Sequence, residues 1–191
     1  MIKTIKLNQA HLIPNFFKDL QERYRNRNVE LTISESEKVL LDENKFWEIL
    51  ALLDWTKEED ADITSPVVAR LAEMPVHDIY LFQDTLSEKL YQLDAKKYAL
   101  HIGEDSWQEG NYFSVDNFLY ARCAVVANGK KTYEEIVQDP AKMPKDLTFE
   151  PILSLAADAY YLKTGKIFDY TGHFNYETYG NEAGWAAEGN H

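Results

Sequence analysis

The sequence predicts a mainly α fold: a compact helical domain over residues 42–165, preceded by a small strand–helix–strand element in residues 1–40 and followed by an irregular, packed aromatic tail in residues 166–191. Three observations carry this reading. Apolar residues recur three and four apart through most of residues 42–164. Proline and glycine punctuate those periodic runs at their ends. Two-residue alternation, the mark of a half-buried strand, is clean only within the first 40 residues.

Residues 2–7 alternate loosely, and Val29-Glu-Leu-Thr-Ile33 alternates cleanly. Between them Ile13, Phe16, Phe17, Leu20 and Tyr24 share one helical face. Such a two-stranded element is marginal alone and must dock on the helical domain. Asp42 is a good N-cap for a helix carrying Phe46, Ile49, Leu50 and Leu53. The run Lys57-Glu-Glu-Asp-Ala-Asp62 reads as a solvated loop, with Ser65-Pro66 then supplying the cap and first residue of a short helix through about Glu73. Pro75 opens the next helix, striped by Ile79, Phe82, Leu86, Leu90 and Leu93. A short helix is expected from Ala95 to Ile102, ending at Gly103, and Glu104 to Asn111 is a polar loop holding Trp107.

Ser114 caps a helix that is apolar nearly all round (Val115, Phe118, Leu119, Ala121, Cys123, Val125, Val126), so it should be central. Asn128-Gly129 stops it. A shorter helix, Thr132 to Gln138, ends before Pro140, and the last begins near Glu150-Pro151 and stops at Thr164-Gly165. Beyond it come Phe168, Tyr170, Phe174, Tyr176, Tyr179 and Trp185, an apolar set too large to stay exposed on a monomer: it is expected to dock on the helical domain, the alternative being that it is itself the partner surface.

A chain of 191 residues buries about 70% of its unfolded surface and needs no metal or disulfide staple. The single cysteine, Cys123, rules out an intrachain disulfide and zinc sites of the paired-cysteine kind. The 20 basic and 32 acidic side chains leave a net charge of −12, which argues against nucleic acid and anionic membrane as partners because both need a positive field. The sign is uneven: residues 1–40 carry seven basic and five acidic groups, whereas residues 42–116 carry six basic and seventeen acidic. That imbalance predicts either an ordinary acidic surface or an acidic face that meets a basic protein partner. The amino terminus is interrupted by Lys3 and Lys6, without the continuous apolar core of a signal peptide, and no stretch is long enough to span a bilayer; a cytoplasmic location is expected.

Few residues stand out chemically. His101 with Glu104 and Asp105 is the nearest approach to a ligand cluster, but no second histidine lies at ligand spacing. Cys123, among alanines and valines, reads as core, since a buried thiol is a poor nucleophile. No glycine-rich phosphate loop or serine elbow is present, so the sequence assigns no catalytic residue, metal or cofactor. Arg122, four residues after Phe118 on an apolar helix, needs either a carboxylate on another helix or a bound anion. Tyr98, Trp107, Tyr112 and Tyr120, with Phe113, Asp116 and Arg122, are candidates for a ligand pocket or a partner surface, because tyrosine and tryptophan serve both.

The segment Asn44-Lys-Phe-Trp-Glu-Ile-Leu50 resembles the opening "FW" helix of the bacterial domain-of-unknown-function family 4240. Phe113 to Gly129 resembles its "D-x-F-x-x-x-R … G" helix, carried here by Asp116, Phe118, Arg122 and Gly129, and Tyr133 to Pro140 matches the family's next motif, "Y … DP". The resemblance covers residues 42–165, with Asn181-Glu-Ala-Gly-Trp185 as a further match. It departs at Ala95-Lys-Lys-Tyr-Ala99, where the family has "W-x-x-A", and at Asp116-Asn117, where it has paired acids. The resemblance implies a helical bacterial domain and brings no activity. It leaves function open, and two readings stand: the first is a non-enzymatic interaction or regulatory protein, immunity-type in its concrete form, presenting an acidic face. The alternative is an enzyme or small-ligand binder using the aromatic set with Arg122 and nearby carboxylates.

Overall fold

Asp42 starts the first helix as its capping pattern predicts: the carboxylate accepts from the Lys45 amide at 2.9 Å, and α1 (Glu43–Leu50) buries Phe46, Trp47, Ile49 and Leu50. The computed structural model describes residues 39–186, in which eight α-helices and two short 3₁₀ turns carry the fold; no strand occurs among the described residues. The strands and helix expected before residue 39 lie outside the described residues.

The second helix differs from expectation. It runs as α2 (Asp60–Glu73), so Pro66 lies inside it and the loop is confined to residues before Asp60. Two effects explain the earlier start. Asp60 and Asp62 sit in the first turn, where the helix dipole favours negative charge. The amide that proline lacks would have bonded the Asp62 carbonyl, and the Ser65 hydroxyl donates there instead at 3.3 Å. Ile63, Val67 and Leu71 then form one buried stripe straight past the proline.

Pro75 leads into α3 (Val76–Gln92), whose stripe of Ile79, Phe82, Leu86, Leu90 and the adjoining Leu93 is fully buried. A single turn, α4 (Lys96–Ala99), stands where a longer helix is expected; past it, the Trp107 amide donates to the Ala99 carbonyl at 2.9 Å. Helix α5 (Val115–Ala127) is capped by Ser114, which accepts from Asn117 N at 3.2 Å, and buries Phe118, Leu119 and every residue from Ala121 to Ala127. Val115 faces outward instead of joining that core. Gly129, at φ +88°, turns the chain directly into α6 (Lys130–Gln138), two residues ahead of expectation. The 3₁₀ turn Glu150–Ser154 feeds α7 (Leu155–Thr164), which ends on Gly165 in the left-handed region.

Helices α2 and α7 pack along one another in the same direction: Asp60 lies beside Pro151 and Ser154, and Lys163 Nζ donates to the Ala72 carbonyl at the other end. The segment after Gly165 crosses α3 and α5, with one further turn, α8 (Glu182–Trp185). Phe168 and Tyr170 stack on Tyr80 with ring centroids 5.6 and 4.6 Å away. Trp185 meets Phe118 edge-on at 5.7 Å.

Candidate functional site

Arg122 is the largest fully buried side chain of the fold, and its contacts show why α5 carries a charge. Nη1 donates to the carbonyls of Leu90 and Tyr176, both at 2.9 Å, and Nη2 to Thr178 Oγ1 at 3.0 Å. The Phe118 ring lies 4.7 Å from the guanidinium carbon, and Nε has no hydrogen-bond partner. Burial pulls its pKa down to about 10, opposed by the Asp94 carboxylate, so it remains a cation at neutral pH. Its carboxylate partner is Asp94, at 3.9 Å, in the turn after α3.

Two buried carboxylates take the rest of the crossing segment. Asp94 accepts from Trp185 Nε1 at 2.8 Å and from the amides of Asn181 and Tyr179 at 2.9 and 3.3 Å. Asp84 accepts from the Tyr170 hydroxyl at 2.6 Å, His173 N at 3.0 Å and His173 Nδ1 at 2.8 Å. Burial first, and then the bond to Asp84, push the Tyr170 pKa upward. Gly172 lets the backbone close on this carboxylate: a Cβ there would stand 3.1 Å from Asp84 Oδ1 and 3.3 Å from Ser87 Oγ.

The other candidate residues are spread out. Tyr98 is buried, with Lys97 Nζ 4.8 Å from its ring centre, and Trp107 is half-buried beneath Lys96 Nζ at 4.0 Å. Tyr112 is 92% exposed, and Asp116 is exposed in the first turn of α5. The Tyr120 hydroxyl is held above its usual range, first by desolvation and then by Glu150, with Asp116 adding to the effect. No hydrogen bond or ring contact joins any two of Tyr98, Trp107, Tyr112, Asp116, Tyr120 and Arg122.

Of these candidates Tyr120 alone lines any of three open clefts on the described surface, which adjoin through shared lining residues. The first, about 400 Å³, is bounded by Ile102, Glu104, Asp105, Asn117 and Asp146. The second, about 420 Å³, holds Tyr120, Glu150 and Asp60 and shares Thr148 with the first. The third, about 610 Å³, lies between α2 and α7 and shares Asp60, Pro151 and Ser154 with the second. Glu104, Asp105, Asp146, Glu150, Asp60 and Asp158 line them, and no lysine, arginine or histidine among the described residues does. Asp146 adopts φ +52° and accepts from Glu104 N at 2.8 Å; Gly103 makes room, since a Cβ there would fall 2.0 Å from Asp146 Oδ1. Asp105 is held by Asn117 Nδ2 at 2.9 Å, and Asp158 by the Ser154 hydroxyl at 2.7 Å. Among the described residues no group of three or more histidine, cysteine or acidic side chains is placed to hold a metal ion, and no helix is long and apolar enough to cross a membrane.

The charge excess of residues 42–116 contains Asp60, Glu104 and Asp105, but nothing in the sequence signals that Asp146, Glu150 and Asp158 join them. The fold brings them in from a different stretch of chain.

The motifs that carry the sequence resemblance now have places in the structure. Phe46-Trp47 is on α1, Asp116, Phe118 and Arg122 are on α5, Gly129 is the turn, and Tyr133 is buried on α6. A family model described as "Protein of unknown function (DUF4240)" matches residues 41–161. The chain belongs to the DUF4240 family. Apart from Leu162, every residue lining the three clefts lies inside the matched region of this DUF4240 protein. The donors to Asp84 and Asp94, between Tyr170 and Trp185, lie after it. No curated protein and no solved structure matches the chain.

Proposed function

We propose that this DUF4240 protein is a non-enzymatic, cytoplasmic binding module of the regulatory or immunity type, whose acidic clefts receive a basic segment of a protein partner. The observation that carries the reading is the lining of the confluent clefts: six carboxylates and no cation among the described residues. Exposed charges stabilise a fold little even when paired, and like charges gathered together oppose it. A gathered single sign instead focuses the field and speeds capture of an opposite charge.

An enzyme is expected to bring strongly shifted ionisable groups together in its cleft. Here Arg122, Cys123 and Tyr133 are shifted by burial in the core, and Tyr170 by burial against Asp84 under the crossing segment. None of these four lines the three clefts, and among the described residues the one shifted group that does is Tyr120, raised first by desolvation and then by Glu150.

Calorimetric titration with a lysine-rich peptide tests the proposal, on the wild-type chain and on Asp60→Asn/Glu104→Gln/Glu150→Gln. Binding should weaken steeply between about 0.1 and 1 M salt, as the Debye length falls from roughly 10 to 3 Å. The triple variant should bind at least about tenfold more weakly, a loss of about 1.4 kcal/mol. Equal binding by both proteins would remove the clefts from the interaction.

A further inference from the structure

The third cleft has a shape as well as a charge. On α2, Ala61, Ser65 and Ala69 line it at a spacing of four; on the facing element, Ser154, Asp158 and Leu162 do the same. Rows of residues four apart are the ridges into which a helix packs. Each row spans about 12 Å at 1.5 Å per residue, or roughly two helical turns. Ala61, Ser65 and Ala69 allow a neighbouring backbone to approach closely, and Val68 and Leu162 supply apolar surface. Leu162 is 63% exposed, so no described residue covers this face there.

The groove is electrically polar. At one end it opens through Asp60 into the second cleft with Glu150, and Asp158 stands midway. At the other end Lys163 Nζ closes α7 against α2 on the Ala72 carbonyl at 2.9 Å. An apolar floor with acidic groups along one side and at one mouth fits the groove-binding mode of an amphipathic helix, read through residues at i, i+3, i+4 and i+7.

We infer that the groove between α2 and α7 seats about two turns of a basic amphipathic helix of the partner protein, its apolar side on Val68 and Leu162 and its cations directed to Asp158, Asp60 and Glu150. This rests on the acidic-cleft reading and names the kind of segment those clefts receive.

Fluorescence anisotropy on the full chain tests it with two labelled peptides of equal composition, each about 18 residues, long enough for helix formation. One places leucines at helical spacing among lysines; the other is shuffled to break that spacing. The amphipathic peptide should bind at least tenfold more tightly, and Ala69→Trp or Ala61→Trp should each abolish that margin. Both positions are exposed, and two independent substitutions with thermal melts guard against a folding artefact. Equal binding of the two peptides, weakened alike by Asp60→Asn/Glu104→Gln/Glu150→Gln, would overturn the helix groove and leave the acidic reading standing. Binding of neither peptide would overturn both. Self-association of the chain that Ala69→Trp abolishes would make the occupant a second copy and overturn the assignment to a partner protein.

Discussion

Arg122 and Asp94 are both fully buried and stand 3.9 Å apart, yet neither directs its hydrogen bonds to the other. The guanidinium reaches the Leu90 and Tyr176 carbonyls and Thr178; the carboxylate takes the Tyr179 and Asn181 amides and the Trp185 indole. They neutralise one another across the gap while each holds a different part of the same crossing segment.

Replacing Arg122 with methionine keeps most of the packing and removes the charge. Breaking a buried pair in this way typically costs about 3–5 kcal/mol, because the other charge is stranded. Urea denaturation should show a loss of that size for Arg122→Met, with part of it restored in Arg122→Met/Asp94→Asn. An unchanged midpoint would contradict the pairing.

Truncation after Gly165 removes the donors to Asp84 and Asp94 and two of the three acceptors of Arg122. It also uncovers Tyr80 and Phe118. The shortened chain should be markedly less stable or aggregate, as read by denaturation and sedimentation. A truncated chain as stable as the full one would show that the segment contributes nothing to the fold.

Phe118 contacts Phe113, Trp185 and Arg122 at once, with centroid distances of 5.6, 5.7 and 4.7 Å. Phe118→Ala should cost about 3–5 kcal/mol, as for other large-to-small core changes. Limited proteolysis should also cut the segment after Gly165 faster, since Trp185 loses the ring it abuts.

Burial in α5 pushes the Cys123 thiol up to about 12, against about 8.5 in an unfolded chain. The unfolded state therefore loses its proton first, and the stability contributed by the protonated thiol, complete below about pH 8.5, declines as pH rises toward 12. Cys123→Ala should flatten that alkaline decline in pH-dependent denaturation. In native protein at pH 8, thiol reagents should leave Cys123 unlabelled until the chain unfolds.

Helix identity is legible in the sequence wherever apolar spacing and punctuation agree, as at Asp42, Pro75, Ser114 and Gly165. The start of α2 is not, because Ser65-Pro66 imitates a helix beginning while the buried stripe from Ile63 to Leu71 runs past it. Arg122 stands out in the sequence as a charge in need of partners. Two of those partners, the carbonyls of Leu90 and Tyr176, belong to the backbone and leave no trace in side-chain pattern. The acidic clefts are half visible for a similar reason: composition reports an excess of charge, but only the fold decides which carboxylates converge.

The buried charges of Arg122, Asp94 and Asp84 are separate from the exposed carboxylates of the clefts proposed to bind a partner, and the affinity of a lysine-rich peptide for two variants tests that proposal most directly. Under conditions where both variants remain folded, Arg122→Met should bind the peptide as the wild type does, while Asp60→Asn/Glu104→Gln/Glu150→Gln loses at least about tenfold in affinity. The reverse pattern, in which Arg122→Met is as stable as wild type but loses the peptide and the triple variant keeps it, would contradict the separation.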